Sequence, residues 1–128
     1  MIEGRESKVF VVQEPMMMRE GQPHPRFSLD PAREFGELVI VLAWSDTKKL
    51  KEGGERDIRW KIRHTLEDFT EDDFILMTGD WSAMALVVHD ALLHCDVVKL
   101  LQWDGKEREY HIITIDQKEG PPSGYLDD

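Results

Sequence analysis

"FILMTGDWSAMALVVHDALLHCDVVKLLQW" (74–103) is the stretch that decides the fold class. It opens on a short apolar run, "FILMT" (74–78), and breaks at Gly79-Asp80. From Trp81 to His94 the residues are apolar nearly all round and lack strand alternation, so they read as a helix. A second β-rich run, "DVVKLLQW" (96–103), follows. Strand, turn, helix and strand form a βαβ unit, which makes its two strands parallel and sends the helix across one sheet face. Asp80 stands at the N-cap position, where a carboxylate accepts first-turn N–H groups and offsets the helix dipole.

Ligands of parallel α/β sheets gather at the carboxyl ends of strands, where helix N-termini point. Gly79, Asp80 and Trp81 are therefore a candidate ligand site, with Asp80 as polar anchor and Trp81, Trp44 and Trp103 as walls. A phosphate is disfavoured there, because Asp80 already occupies the anion's place. Neither a Walker pattern nor Gly-x-Gly-x-x-Gly is present. A ligand at this turn should be cationic, neutral or a partner side chain.

On the amino-terminal side, "KVFVV" (8–12) reads as a first strand and "ELVIVLAW" (37–44) as a second, apolar on both faces and so expected to be central. Between them, 16–36 is expected to be irregular apart from one short helix in "LDPAREFG", with Asp30 as cap, Pro31 at the first helical position and Gly36 closing it. Residues 45–57 read as a charged loop. Ile58, Ile62, Leu66 and Phe69 then recur at i, i+4, i+8 and i+11, predicting a helix from about Arg56 to Phe69. Thr70 and Asp73 suit a small capped turn after it. On the carboxyl-terminal side, 96–103 and "EYHIITID" (109–116) flank "DGKER" as a hairpin, with Leu101 expected opposite Tyr110. The result is a single α/β domain over 6–116. It has a mixed five-stranded sheet in the order β-β-α-β-α-β-β, two main helices and a C-terminal hairpin. Residues 117–128 read as a flexible acidic tail. "IEGR" (2–5) matches the recognition sequence of a coagulation-type processing protease, so 1–5 are expected to be an appended cleavage site.

At 128 residues and 41% hydrophobic, the chain can bury one core without staples. A lone Cys95 excludes an internal disulfide, and its apolar neighbours suit a core residue, not a nucleophile. No apolar run approaches the ~18 residues of a membrane span, and the N-terminus is too polar for a secretory signal. A cytoplasmic protein is expected. The net charge of −10 argues against direct nucleic-acid binding and favours basic partners.

No His-Glu-x-x-His, paired cysteines or Gly-x-Ser-x-Gly elbow is present, so no metal, cofactor or catalytic residue is assigned and enzymatic activity is not expected. Asp90 and His94 suit a local i, i+4 ion pair on a wet face. Glu67, Asp68, Glu71, Asp72 and Asp73 crowd one short stretch: either a solvated edge or a surface copying phosphate spacing that docks on a basic protein. Met16, Met17 and Met18 offer an adaptable apolar contact, over the sheet or to a partner. An all-round apolar helix in so small a domain needs cover beyond one sheet face: either the long loop 16–36 or a homodimer contact through Leu86, His89 and Leu93.

Three phrases, "VFVVQEP" (9–15), "DDFILMTGDWSAMAL" (72–86) and "VVKLLQWDGKEREYHIITID" (97–116), resemble small uncharacterised accessory proteins of tailed bacteriophages, notably those of marine bacteria. That family carries a Gly-Asp-Pro step and an Arg-rich hairpin. Here Trp81 replaces the proline and "WDGKEREY" departs from the Arg-rich form. The resemblance implies a phage origin and supplies no catalytic residue. The expected role is binding another protein, such as a basic host or phage nucleic-acid enzyme. The alternatives are an oligomerising virion or assembly component, and a small-ligand or enzymatic site at Gly79-Asp80.

Overall fold

A computed structural model describes residues 6–125. The proposed cleavage site at 1–5 and the last three residues of the tail lie outside the described residues. Five strands form the main sheet: β1 (Lys8–Gln13), β4 (Glu37–Leu42), β5 (Phe74–Leu76), β6 (Val97–Asp104) and β7 (Glu109–Asp116), in the spatial order β4-β1-β5-β6-β7. The first four are mutually parallel and β7 is antiparallel to β6. This is the mixed α/β architecture the βαβ pattern predicts.

The crossover from β1 to β4 runs one way along the sheet; those from β4 to β5 and β5 to β6 run the other way. Right-handed crossovers in opposite directions must use opposite faces. The helices α1 (Asp46–Lys51), α2 (Glu55–Thr65) and α3 (Trp81–His94) belong to the second set. Ile58, Ile62, Leu66, Phe69, Ala83, Val87 and Ala91 bury against Phe10, Val12, Val41, Ile75 and Val98. Among the described residues, the other face carries only a 3-10 helix, Asp30–Phe35, whose Ala32 sits with Val9, Val11, Leu76 and Leu101 while Phe35 packs edge-on to Phe74 and Tyr110. β1 is thus buried on both faces.

Several sequence expectations change. The strand expected to be central, β4, lies at the sheet edge, with Ile40 42% exposed. Its two apolar faces reflect α2 on one side and the 3-10 helix on the other; the doubly covered strand is β1. The segment 16–36 holds a hairpin, β2 (Met16–Arg19) with β3 (Gln22–Pro25), turning at Glu20 and Gly21, both with positive φ. Two consecutive positive-φ residues make the turn type that matches strand twist. Pro23 and Pro25 conceal the strand in the sequence, because proline is tolerated only where its nitrogen faces away from the partner. Leu29, not Asp30, holds the 3-10 helix N-cap position. Gly36 does close that helix, and a Cβ there would collide with the Ser7 carbonyl.

Residues 45–57 are not a plain loop. They contain α1, a single helical stretch too short to show periodicity, anchored by Leu50. α2 stops at Thr65, although the apolar stripe continues through Leu66 and Phe69 in the following turn. Thr70 and Asp73 form the expected turn: Thr70 N–H donates to Asp73 Oδ2 at 2.8 Å. The hairpin loop has four residues, so Leu101 faces Ile112 and Trp103 faces Tyr110. The slip of two residues keeps every side chain on its expected face. It is fixed by Asp104, whose Oδ1 accepts the N–H groups of Lys106 (2.9 Å) and Glu107 (3.1 Å).

Candidate functional site

Connections leave β1 and β5 in opposite directions, so the gap between them is the topological switch point of the sheet. Doubly wound sheets bind ligands at such gaps, outside the carboxyl ends of the strands. A cleft of about 800 Å³ opens there. Its floor is the end of β1 (Gln13, Glu14, Pro15) and the turn after β5 (Thr78, Gly79, Asp80). Trp44, Ser45 and Thr47 line one wall, Met16, Arg26 and Phe27 of the hairpin region another, and Lys48, Lys51 and Glu52 of α1 and its C-cap reach the rim.

Gln13, 3% exposed, organises the floor. Its Oε1 accepts the Asp80 N–H at 2.8 Å. Its Nε2 donates to the carbonyls of Ala43 and Trp44, each at 3.3 Å, and to Thr47 Oγ1. One side chain therefore ties together the ends of β1, β4 and β5. Gly79 has φ +102°, and a Cβ there would lie 2.5 Å from the Gln13 Cβ. Glycine is required twice over, by backbone conformation and by the approach of Gln13.

Asp80 caps α3, its Oδ2 accepting from Ser82 N–H (3.0 Å) and Ala83 N–H (3.4 Å). The Gly79-Asp80 step is thus a capped turn that also forms part of the cleft floor. Its charge setting differs from the sequence reading. Asp80 and Glu14 turn their oxygens onto backbone N–H groups, the latter toward Trp44 N–H at 3.4 Å. Arg26, Lys48 and Lys51 bring three cations to a locally balanced cleft in an otherwise acidic protein.

Of the tryptophans expected as walls, only Trp44 lines the cleft. Trp81 is 86% exposed outside it, and Trp103 packs on Tyr110 at 4.9 Å on the open sheet face. Both stand at the right end of the sheet, but their side chains leave the switch point. Gln13, Thr47, Arg26, Phe27 and Lys48 belong to the site and escaped sequence reasoning. A polar residue ending an otherwise apolar strand, as Gln13 does, is the one signal that pointed to it.

The acidic stretch lies before β5, at the opposite end of that strand from the cleft. Glu67, Asp68, Glu71 and Asp72 are exposed. Asp73 is fully buried, accepting from Lys8 N–H (2.8 Å) and Thr70 N–H, so it belongs to the fold and not to an accessible surface. Asp68 pairs with the Lys8 ammonium at 2.9 Å. Met16 faces the cleft, whereas Met17 (36% exposed) and Met18 (51%) line the hairpin surface. On α3, Leu86 is half-buried against the core, and His89 and Leu93 are exposed. Asp90 lies beside His94 Nε2 at 3.4 Å, as the i, i+4 spacing implied, but not on the wet face expected for the pair: it is buried, with Arg63 Nε 3.9 Å away. Burial, and then the carboxylates of Glu71, Asp73 and Asp96, push the Cys95 thiol up, away from nucleophilic reactivity. Among the described residues, no group of three His, Cys, Asp or Glu is placed to hold a metal ion, and no helix is long and apolar enough to cross a membrane.

Fold and site together define a small α/β domain with a preformed cleft at the switch point of a mostly parallel sheet. The chain belongs to the family described as Phage Pam3 gp32-like protein, which matches residues 7–117. The family match bears out the phage resemblance of the three quoted phrases. No curated protein and no solved structure matches the chain.

Proposed function

We propose that this phage protein is an accessory protein of the host cytoplasm that acts by binding, and that its primary site is the switch-point cleft. The observation that carries this is the 800 Å³ cleft whose floor is locked by Gln13. Preformed concavity with a few convergent polar groups is what small-ligand sites share. Trp44 and Phe27 offer flat apolar walls, while Arg26, Lys48 and Lys51 offer cations. That combination suits a planar anion, such as a mononucleotide, seated away from the α3 N-terminus. The test is intrinsic fluorescence with ATP and GTP, using inorganic phosphate as a control for the charge alone. Quenching that is lost in Trp44→Phe and weakened by salt supports the reading. No change at millimolar nucleotide overturns it.

A second reading rests on the exposed carboxylates of Glu67, Asp68, Glu71 and Asp72 together with the net charge of −10. Here the protein docks on a basic partner, such as a nucleic-acid enzyme of host or phage, with Met17 and Met18 as an adjacent adaptable surface. A pull-down from infected cells at low and moderate salt tests it. Recovery of a basic protein that is lost on replacing these four acids by Asn and Gln supports docking; an empty pull-down at both salts contradicts it.

A further inference from the structure

Natural sheets protect their edges with proline, lysine, bulges, short strands or a covering segment. Among the described residues, the outer edge of β7 has no proline, lysine, bulge or covering strand. The strand is eight residues long, "EYHIITID", contains no Pro, Lys or Gly, and pairs with β6 without a bulge. Among the described residues no strand pairs with its outer side. The chain leaving it turns back over the domain: the Gln117 side chain donates to the carbonyls of Leu92 (3.0 Å) and Cys95 (3.2 Å), and Lys118 pairs with Asp96 at 3.1 Å. Ile112 is 50% exposed and Ile113 45%, on opposite faces of this strand.

We infer that β7 is a homodimerisation edge, pairing antiparallel with β7 of a second copy of this chain to join two sheets into one. The hydrogen-bond phase restricts the register. Gln117 N–H donates to Asp96 O at 2.9 Å, so alternate residues Ile115, Ile113 and His111 turn their backbone groups toward β6. Tyr110, Ile112, Thr114 and Asp116 therefore present theirs outward. Outward groups must face outward groups, which excludes the register that would set Glu109 against Asp116 of the other copy. Pairing centred on Ile112 sets Ile112 on Ile112, Tyr110 on Thr114, His111 on Ile113 and Glu109 on Ile115. No like charges face each other, and roughly six backbone hydrogen bonds form across the new seam. Trp103, 43% exposed on the same face as Ile112, flanks it. The self-complementarity of this register argues for a second copy over an unrelated strand.

The test is sedimentation velocity of the full chain over a concentration series, with far-UV circular dichroism to confirm folding. The wild type should show a concentration-dependent dimer. Ile112→Lys and Ile112→Glu should each weaken it by at least about tenfold, through like charges facing across the seam. Mixing the two variants should restore a dimer, which loss of folding would not allow. Thr114→Pro removes an outward N–H, which an edge strand tolerates, and should give a folded monomer. A wild type that stays monomeric at all concentrations overturns the proposal. So does a dimer unaffected by these substitutions, or variants that do not rescue each other.

Discussion

Replacing Gln13 by Glu tests the reading of the cleft floor at constant volume. The Oε1 position stays an acceptor for the Asp80 N–H, and the Thr47 hydroxyl can rotate to donate. The amide donors to the Ala43 and Trp44 carbonyls disappear, and a carboxylate oxygen faces those carbonyls instead. The site is 3% exposed, so water does not replace the lost donors. Two long hydrogen bonds at the lower end of the cost of unmet buried groups, plus desolvation of a charge, come to about 2–4 kcal/mol at neutral pH. For a domain of this size that lowers Tm by roughly 6–15 °C. The variant also carries a pH signature. Burial and the facing carbonyls disfavour the charged form, so the folded-state pKa rises above the ordinary Glu value of about 4.3. The part of the deficit that comes from the charge is therefore absent below about pH 4.3, grows as pH rises from there to the raised folded pKa, and is constant above it. Urea unfolding of both proteins at pH 5 and 7.5 measures it. A deficit under about 0.5 kcal/mol at pH 7.5, or one equal at the two pH values, would refute the role given to Gln13.

Gly79→Ala forces a side chain into a positive-φ site against Gln13 and should cost about 3 kcal/mol or more by the same unfolding assay. Asp80→Ala should cost about 1 kcal/mol through loss of the α3 cap, while Asp80→Asn keeps most of the stability. Burial works to raise the Asp46 pKa, but hydrogen bonds from Lys61 (2.6 Å) and Ala43 N–H hold it below the usual value. This contribution is present above the ordinary Asp range and lost as pH falls through the depressed pKa; Lys61→Met should lower stability at pH 7 by about 1 kcal/mol, discounted for the half-exposed lysine. The Asp104 carboxylate, 2.7 Å from His111 Nε2, raises the histidine's pKa, so NMR titration should find its midpoint above the ordinary value and Asp104→Asn should bring it down.

How much of this was legible in the sequence follows from the range of each interaction. The α3 boundaries, its Asp80 cap, the Thr70–Asp73 turn and the terminal hairpin are local: spacing and short-range donors fix them within a few residues. So are the βαβ unit and, with it, the parallel sheet. The β2–β3 hairpin and α1 were missed because two prolines and a single apolar anchor leave no period to read. The edge position of β4 and the doubly buried β1 depend on strand order, which neither pattern nor propensity encodes. The cleft depends on it too. Gln13 and Gly79 are 66 positions apart, and nothing in either neighbourhood announces that one must make room for the other.

By itself, then, the sequence determined an acidic α/β domain with a capped Gly-Asp turn, because composition and i, i+4 contacts are properties of the chain; its phage kinship came from the resemblance of the three quoted phrases. Only the tertiary structure decided what that turn serves. Crossovers in opposite directions open a gap between β1 and β5, and three segments distant in sequence, the ends of β1, β4 and β5, meet there on the side chain of Gln13.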